Sequence, residues 1–237
     1  MKNVLVTGAG SGIGLEIVTS LLKEGYYVIA HYNRSKKNLL KLSKSYENLE
    51  LVQQNFALSE AAKKCYLKIK NKNIDVVINN AGLLPKACAF EKSSVKSQTE
   101  IFNVNFFAPY QLCQKIIPKM VKKKWGRIIN ISSIGVKFAG NSQTSLYTLS
   151  KMTLEGLTET INKTYAVHNI LCNTLRVGVT DTDLHKTSNH KNMKERIEKI
   201  PLKRMAKTSE IANMVSFLIS NEANFIAGQK IAIAGGE

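Results

Sequence analysis

Tyr147 and Lys151 stand four residues apart in a stretch of helical period, which places a phenol and an ammonium on one helix face. A tyrosine with an ordinary pKa of about 10 is a poor proton shuttle at neutral pH. A fixed ammonium beside it favours the phenolate and lowers that value, which makes the pair a candidate general acid/base. The spacing alone is common on surface helices. It gains weight because Ser132-Ser133 ends the preceding apolar run, where a hydroxyl at the end of a strand can meet the helix face above a sheet.

A second chemistry is written at the start of the chain. Thr7-Gly8-Ala9-Gly10-Ser11-Gly12-Ile13-Gly14 follows a short apolar run and opens a helical one. Gly8 permits a tight turn, Gly12 lets backbone approach a pyrophosphate, and Gly14 lets helix and strand pack closely. The helix amino terminus then offers free N–H groups and partial positive charge to phosphates, so Gly8, Gly10, Ser11, Gly12, Ile13 and Gly14 are expected to bind a dinucleotide. A Walker loop is excluded, because no Gly-Lys-Ser/Thr follows. The second apolar run ends in Ala30-His31-Tyr32-Asn33-Arg34-Ser35-Lys36-Lys37, with no carboxylate to hold an adenosine ribose. Arg34, Lys36 and Lys37 favour a ribose 2′-phosphate instead. Asn33, Arg34 and Ser35 are the contacts expected there, and NADP(H) is favoured over NAD.

The elements that must position these groups follow from hydrophobic period. Short apolar runs at 4–7, 27–30, 51–53, 75–79, 127–131, 170–175 and 230–233 read as strands. Between them, helices are predicted from Ile13, Ile17 and Leu21 on one face, over 36–46, over 59–70 with Ser59 as cap, over 97–119, over 145–167 and over 209–219. Such alternation predicts one α/β unit over 1–237, a parallel sheet covered on both faces by helices. The polar segment 183–207 has no clear strand. It falls after the sixth strand, where ligand-binding loops occur, and is expected to be a substrate lid.

Composition narrows the class. The chain has 237 residues, 44 % hydrophobic and 22 % charged, ordinary globular values that argue against disorder. Its formal charge is +17, carried by twenty-nine lysines and only five arginines, scattered except for Lys122-Lys123-Lys124. Nucleic-acid binding would call for clustered basic residues with interleaved aromatics, and is not expected. A lysine-rich surface suffices, with attraction to an acidic partner or anionic substrate as the functional alternative. Cys65, Cys88, Cys113 and Cys172 form no CxxC pair, and His31, His168, His185 and His190 do not cluster as ligands, so no metal and a reducing compartment are expected. No apolar stretch is long enough to span a bilayer, which reads as a soluble cytoplasmic protein.

Taken in order, Thr7–Gly14, Asn79-Asn80-Ala81-Gly82, Asn103-Val104-Asn105, Ser132-Ser133, Tyr147-Thr148-Leu149-Ser150-Lys151 and the closing stretch 228–236 resemble the short-chain dehydrogenase/reductase family over essentially the whole chain. The resemblance implies a doubly wound, Rossmann-like domain with seven parallel strands. It also implies a homotetramer or homodimer in which the two long helices pack across an interface. Tyr147 matches the catalytic acid/base and Lys151 the residue that binds the nicotinamide ribose. Ser133 matches the serine that hydrogen-bonds the substrate carbonyl, and Asn105 the asparagine of a water-mediated proton relay. Asn80, Ala81 and Gly82 match the turn beneath the adenine-side ribose. Gly178, Val179, Thr180 and Thr182 match the loop along the nicotinamide.

Three positions depart from the family pattern. Val177-Gly178 stands where many relatives have Pro-Gly, which is expected to leave that backbone freer. Asn55-Phe56 stands where an aspartate commonly touches adenine, a contact these two residues are expected to keep because Asn can still hydrogen-bond, and Ala234 stands where an aspartate is frequent. In pattern the chain is nearest to the 3-oxoacyl-acyl-carrier-protein reductases, with Lys124 a docking cation. His168 replaces a second cation, which weakens that match. The alternatives are an NADP(H)-dependent sugar, polyol or small-alcohol dehydrogenase and a catalytically silent NADP-binding sensor. The substrate is expected to be a carbonyl compound, free or on a carrier protein, with no nucleic acid or membrane as partner.

Overall fold

The structure is a computed structural model that describes residues 1–84, 88–182 and 193–237. In chain order the elements are β1 (Asn3–Val6), α1 (Gly12–Lys23), β2 (Tyr27–Tyr32), α2 (Lys37–Leu42), β3 (Leu49–Gln53), α3 (Ala61–Ile69), β4 (Ile74–Asn79), α4 (Val95–Phe102), α5 (Ala108–Lys123), β5 (Gly126–Ser133), α6 (Ser145–Tyr165), β6 (Ile170–Val177), α7 (Met193–Glu198), α8 (Thr208–Ile219) and β7 (Lys230–Ile233). The strands form one seven-stranded sheet in the order β3-β2-β1-β4-β5-β6-β7, parallel throughout. The chain leaves β1 toward β2 on one side and returns to β4 on the other. Their carboxyl ends therefore diverge into a crevice, the usual ligand position in such sheets.

The inner strands bury both faces, while the edge strands β3 and β7 stay partly exposed, and alternate residues feed two apolar layers. Leu5, Ile29, Val77 and Ile128 face a layer completed by α3, α5 and α6. Val4, Val28, Val76 and Ile129 face the layer closed by α1 and α8. Of Ile13, Ile17 and Leu21, which predicted α1, Ile17 and Leu21 lie on the face it buries, together with Val18, and Ile13 is half-buried.

Three predicted helices differ in detail. The one expected over 36–46 ends at Leu42. Ser59 does not cap α3. Glu60 holds the N-cap position with φ +58°, and no side chain bonds the helix start. The helix predicted over 97–119 is interrupted by a π turn at Asn103–Phe107 between α4 and α5. The extra residue turns Asn105 inward, where it is fully buried, and Pro109 has no N–H to close an ordinary turn onto the Asn105 carbonyl. Of the expected lid, 183–192 lie outside the described residues. The remainder carries α7 and a parallel bridge between Thr180 and Ala206.

The α6 side of the sheet also carries polar rungs. Asn79, Asn130 and Thr174 stand in register on β4, β5 and β6. Asn79 Nδ2 donates to Asn130 Oδ1 (2.8 Å), Asn130 Nδ2 donates to Thr158 Oγ1 (2.8 Å), and Thr158 and Thr174 share a hydrogen bond of 2.7 Å. All four side chains are buried. Thr158→Val keeps the volume but strips partners from Asn130 and Thr174. Urea unfolding is expected to show a loss of about 1–3 kcal/mol, the cost of leaving buried polar groups unpaired.

Candidate active site

The turn after β1 and the turn after β4 are tied into one unit. Thr7 Oγ1 accepts from the backbone N–H of Asn80 and of Ala81, each at 3.0 Å. Asn80 Nδ2 donates back to the carbonyls of Thr7 (2.9 Å) and Gly8 (3.1 Å). This closeness is what the glycines permit. A Cβ on Gly14 would lie 2.3 Å from the Gly8 oxygen and 2.5 Å from Asn80 Nδ2. Gly8 adopts φ +67°, and a Cβ there would lie 2.7 Å from Ala81 Cα. The start of α1 faces the crevice with no side-chain cap from Ser11 and no acidic residue in its first turn. Its N–H groups and dipole are left for an anion, so this cradle fits a dinucleotide pyrophosphate.

His31, to which sequence reasoning gave no role, locks the adenine side. It is buried on β2, and its Nδ1 accepts from the Gly8 N–H at 3.2 Å. Its Nε2 lies 2.9 Å from the Gln54 carbonyl, which makes Nε2 the protonated nitrogen. The ring stacks on Phe56 at 3.9 Å between centroids. Burial pushes its pKa down to about 4, with Lys68 acting the same way, so the imidazole is neutral. A signal was present in the sequence: an imidazole inside an otherwise apolar strand must find partners for both nitrogens.

At the other end of the crevice α6 brings Tyr147 and Lys151 beside the end of β5. The Lys151 ammonium lies 5.9 Å from the Tyr147 ring centroid and donates to the Ile131 carbonyl at 2.7 Å. Ser133 Oγ accepts from the Gly135 N–H at 3.1 Å, which orients its hydroxyl. Asn105 accepts from the Leu83 N–H (2.7 Å), donates to the Leu83 carbonyl (3.1 Å), and donates to Ser150 Oγ (2.9 Å). Ser150 Oγ in turn donates to the Tyr147 carbonyl at 2.7 Å. Ser150 is thus a link from the π turn to α6 that sequence reasoning missed.

Burial acts on both titrating groups. It raises the Tyr147 phenol above its ordinary value, with the Ser133 hydroxyl pulling the other way, and it lowers Lys151 to about 8. The sequence expectation was a phenol lowered by its ammonium. Here desolvation of the phenolate dominates.

Every predicted site residue except Asn105 lines one crevice of about 1270 Å³. Asn105 is buried just behind its wall. Arg34, Lys36 and Lys37 are exposed at the β2 edge, and Asn33 Nδ2 reaches Asn55 Oδ1 at 3.4 Å. Thr180 Oγ1 is spent on the Gly178 carbonyl, while Thr182 Cγ2 faces Gly12. The predicted freedom at Val177 is not seen. The β6 ladder runs through Val177 to Ile233, and the Gly178 N–H donates to the Ile233 carbonyl at 2.9 Å. Arg196 and Lys199, within the expected lid, also line the crevice. Among the described residues no cluster of His, Cys, Asp and Glu could hold a metal, and no helix is long and apolar enough to cross a membrane.

Residues 2–193 match the family model described as short chain dehydrogenase. Among curated relatives, a 3-oxoacyl-acyl-carrier-protein reductase of Aquifex aeolicus is 33 % identical over 241 residues, covering 99 % of this chain and 96 % of its own. Among solved structures, 4-hydroxyisoleucine dehydrogenase complexed with NADH superposes with a TM-score of 0.91 at 28 % identity, covering 100 % of this chain and 98 % of that one. A protein of Beutenbergia cavernae assigned as an NAD(P)-dependent gluconate 5-dehydrogenase, with bound NADP, also gives 0.91, at 27 % identity, covering 99 % and 96 %.

The neutral His31 makes stability depend on pH. Unfolded, the imidazole binds a proton at about 6.5; folded, it does so only near 4. Between these values the unfolded chain holds more protons, so stability falls as pH falls from 6.5 to 4, by about 3 kcal/mol from this group. Unfolding of the parent and of His31→Gln across that window is expected to show the shallower pH dependence in the variant.

Proposed function

This chain belongs to the short chain dehydrogenase family and is an NAD(P)-dependent oxidoreductase; we propose that it reduces a carbonyl to an alcohol with NADPH, using Tyr147 as the acid. The observation that carries this reading is a single crevice that gathers Ser133, Tyr147 and Lys151 at one end and offers an anion cradle at the other. Bound in that crevice, NADPH supplies hydride to the carbonyl carbon. Ser133 donates a hydrogen bond to the carbonyl oxygen and stabilises the negative charge that develops there. Tyr147 gives its proton to that oxygen as it becomes an alkoxide; a raised pKa keeps the proton in place until then. Lys151, with its pKa near 8, is mostly cationic at pH 7 and resupplies the phenol. Asn105 offers its backbone carbonyl to water on that relay.

Several finer points belong to the same proposal. The absence of a carboxylate at the end of β2, with three exposed cations following, supports NADP(H) over NAD(H). The segment 183–207 serves as the substrate lid. Exposed Phe107 and Tyr110 near the start of α5, and Leu149 and Met152 on α6, supply an apolar face for a homotetramer or homodimer. The chain is read as cytoplasmic. The favoured substrate is a 3-oxoacyl thioester on an acidic carrier protein, supported by the Aquifex relative and the +17 charge. A sugar or polyol substrate is the second reading, favoured by the gluconate 5-dehydrogenase likeness.

Two outcomes test this. Tyr147→Phe is expected to lower kcat by about a hundredfold or more while NADPH still binds, as seen by fluorescence titration. Retention of parental turnover would remove the proposed acid. Initial rates with an acetoacetyl thioester are expected to exceed those with keto sugars and polyols, and rates with NADPH those with NADH. The reverse order in either comparison rejects that part of the reading.

A further inference from the structure

We infer that Glu155 and Arg176 are positioning residues for this proton transfer, an inference that rests on the reductase reading above. Glu155 lies one helical turn beyond Lys151 on α6 and is 3 % exposed. Its Oε1 accepts from Ser132 Oγ at 2.8 Å and from Arg176 Nε at 2.9 Å, and its Oε2 accepts from Arg176 Nη2 at 2.7 Å. One carboxylate therefore holds three elements together at the carboxyl edge of the sheet. Ser132 and Arg176 face each other in the β5–β6 register, so both donors arrive side by side.

What leaves these three residues is the reaction chamber. Ser133 follows Ser132 directly. Val177-Gly178 follows Arg176 and opens the loop expected along the nicotinamide. Lys151 and Tyr147 precede Glu155 by one and two turns. A shift of the carboxylate would displace the helix against both strands at once.

Glu155 is buried and Arg176 half-buried, and such a pair is a poor device for stability alone. The carboxylate loses its hydration and the guanidinium part of its own, and apolar side chains of similar volume hold a helix to a sheet about as well. Apolar contact does not supply direction. The guanidinium fork and the shared acceptor oxygen fix the rotation and height of α6 over β5 and β6. This pair also anchors the end of β6 where relatives often have a proline.

The test is steady-state kinetics with NADPH and a carbonyl compound that the parent turns over, on Glu155→Gln and on the double variant Glu155→Leu/Arg176→Leu. Both are expected to lose kcat by about tenfold or more, with KM for NADPH within about twofold, because the glycine turn and Arg34 are untouched. The double variant is expected to keep a thermal midpoint at or above that of the parent. A merely structural pair predicts the opposite split, a lower midpoint with kcat unchanged below it. An active parent matched in kcat by the folded double variant overturns the positioning role alone. A parent that turns over no carbonyl compound overturns the reductase reading, and the positioning role falls with it.

Discussion

Helix α6 meets the sheet through side chains that bond as well as pack. Lys151, Glu155, Thr158 and Asn162 lie along one face, and each reaches a different partner on the strands beneath. Lys151 takes the Ile131 carbonyl, Glu155 takes Ser132 and Arg176, Thr158 takes Asn130 and Thr174, and Asn162 takes the Cys172 backbone. Hydrophobic contact is non-directional and leaves a helix free to slide or roll by small amounts. A roll of one residue, about 100°, would break every bond in this stripe. The interleaved apolar residues Leu154, Leu157 and Ile161 supply burial, and the polar ones choose the orientation. Tyr147 and Lys151 inherit their placement from that choice.

The same burial that orients these groups also tunes them. Taking Tyr147 out of water disfavours phenolate, and taking Lys151 out of water disfavours ammonium. The result is a phenol that keeps its proton and an amine that gives its proton up more readily. That pairing suits donation to a nascent alkoxide followed by resupply. It also means that the ammonium's influence on the phenol is set by how much water and how many bound charges reach the crevice.

At the opposite end the constraint is steric. Gly8 and Gly14 let the first turn approach Asn80 and Ala81 more closely than any Cβ allows, and Thr7, Asn80 and His31 then saturate the backbone groups of that turn. The N–H groups at the start of α1 are left over. The anion cradle is thus what remains once Thr7, Gly8, Asn80 and His31 have paired with one another.

Much of this was legible in the sequence. The apolar runs set the strands and their parallel direction, because short runs separated by helical segments have few other ways to bury both faces; the strand order came from the tertiary structure. The Gly8–Gly14 turn and the Tyr147 and Lys151 pair were found from residue types at fixed local spacing, Ser133 and the Asn80–Gly82 turn from the family resemblance, and all line one crevice. What failed to show were features whose partners lie far along the chain. The π turn at Asn103–Phe107 exists because Asn105 reaches Leu83 and Ser150. His31 is neutral because the sheet and Phe56 bury it, and Gly8 and Gln54, far along the chain from one another, fix which nitrogen carries the proton. Nothing in its local sequence sets Glu155 apart; β5 and β6 bring Ser132 and Arg176 beneath it. Local periodicity determined the elements and the chemistry-bearing side chains; tertiary structure alone decided their ionisation, their rotation and their hydrogen-bond partners, because those depend on burial and on contacts that no window of sequence contains.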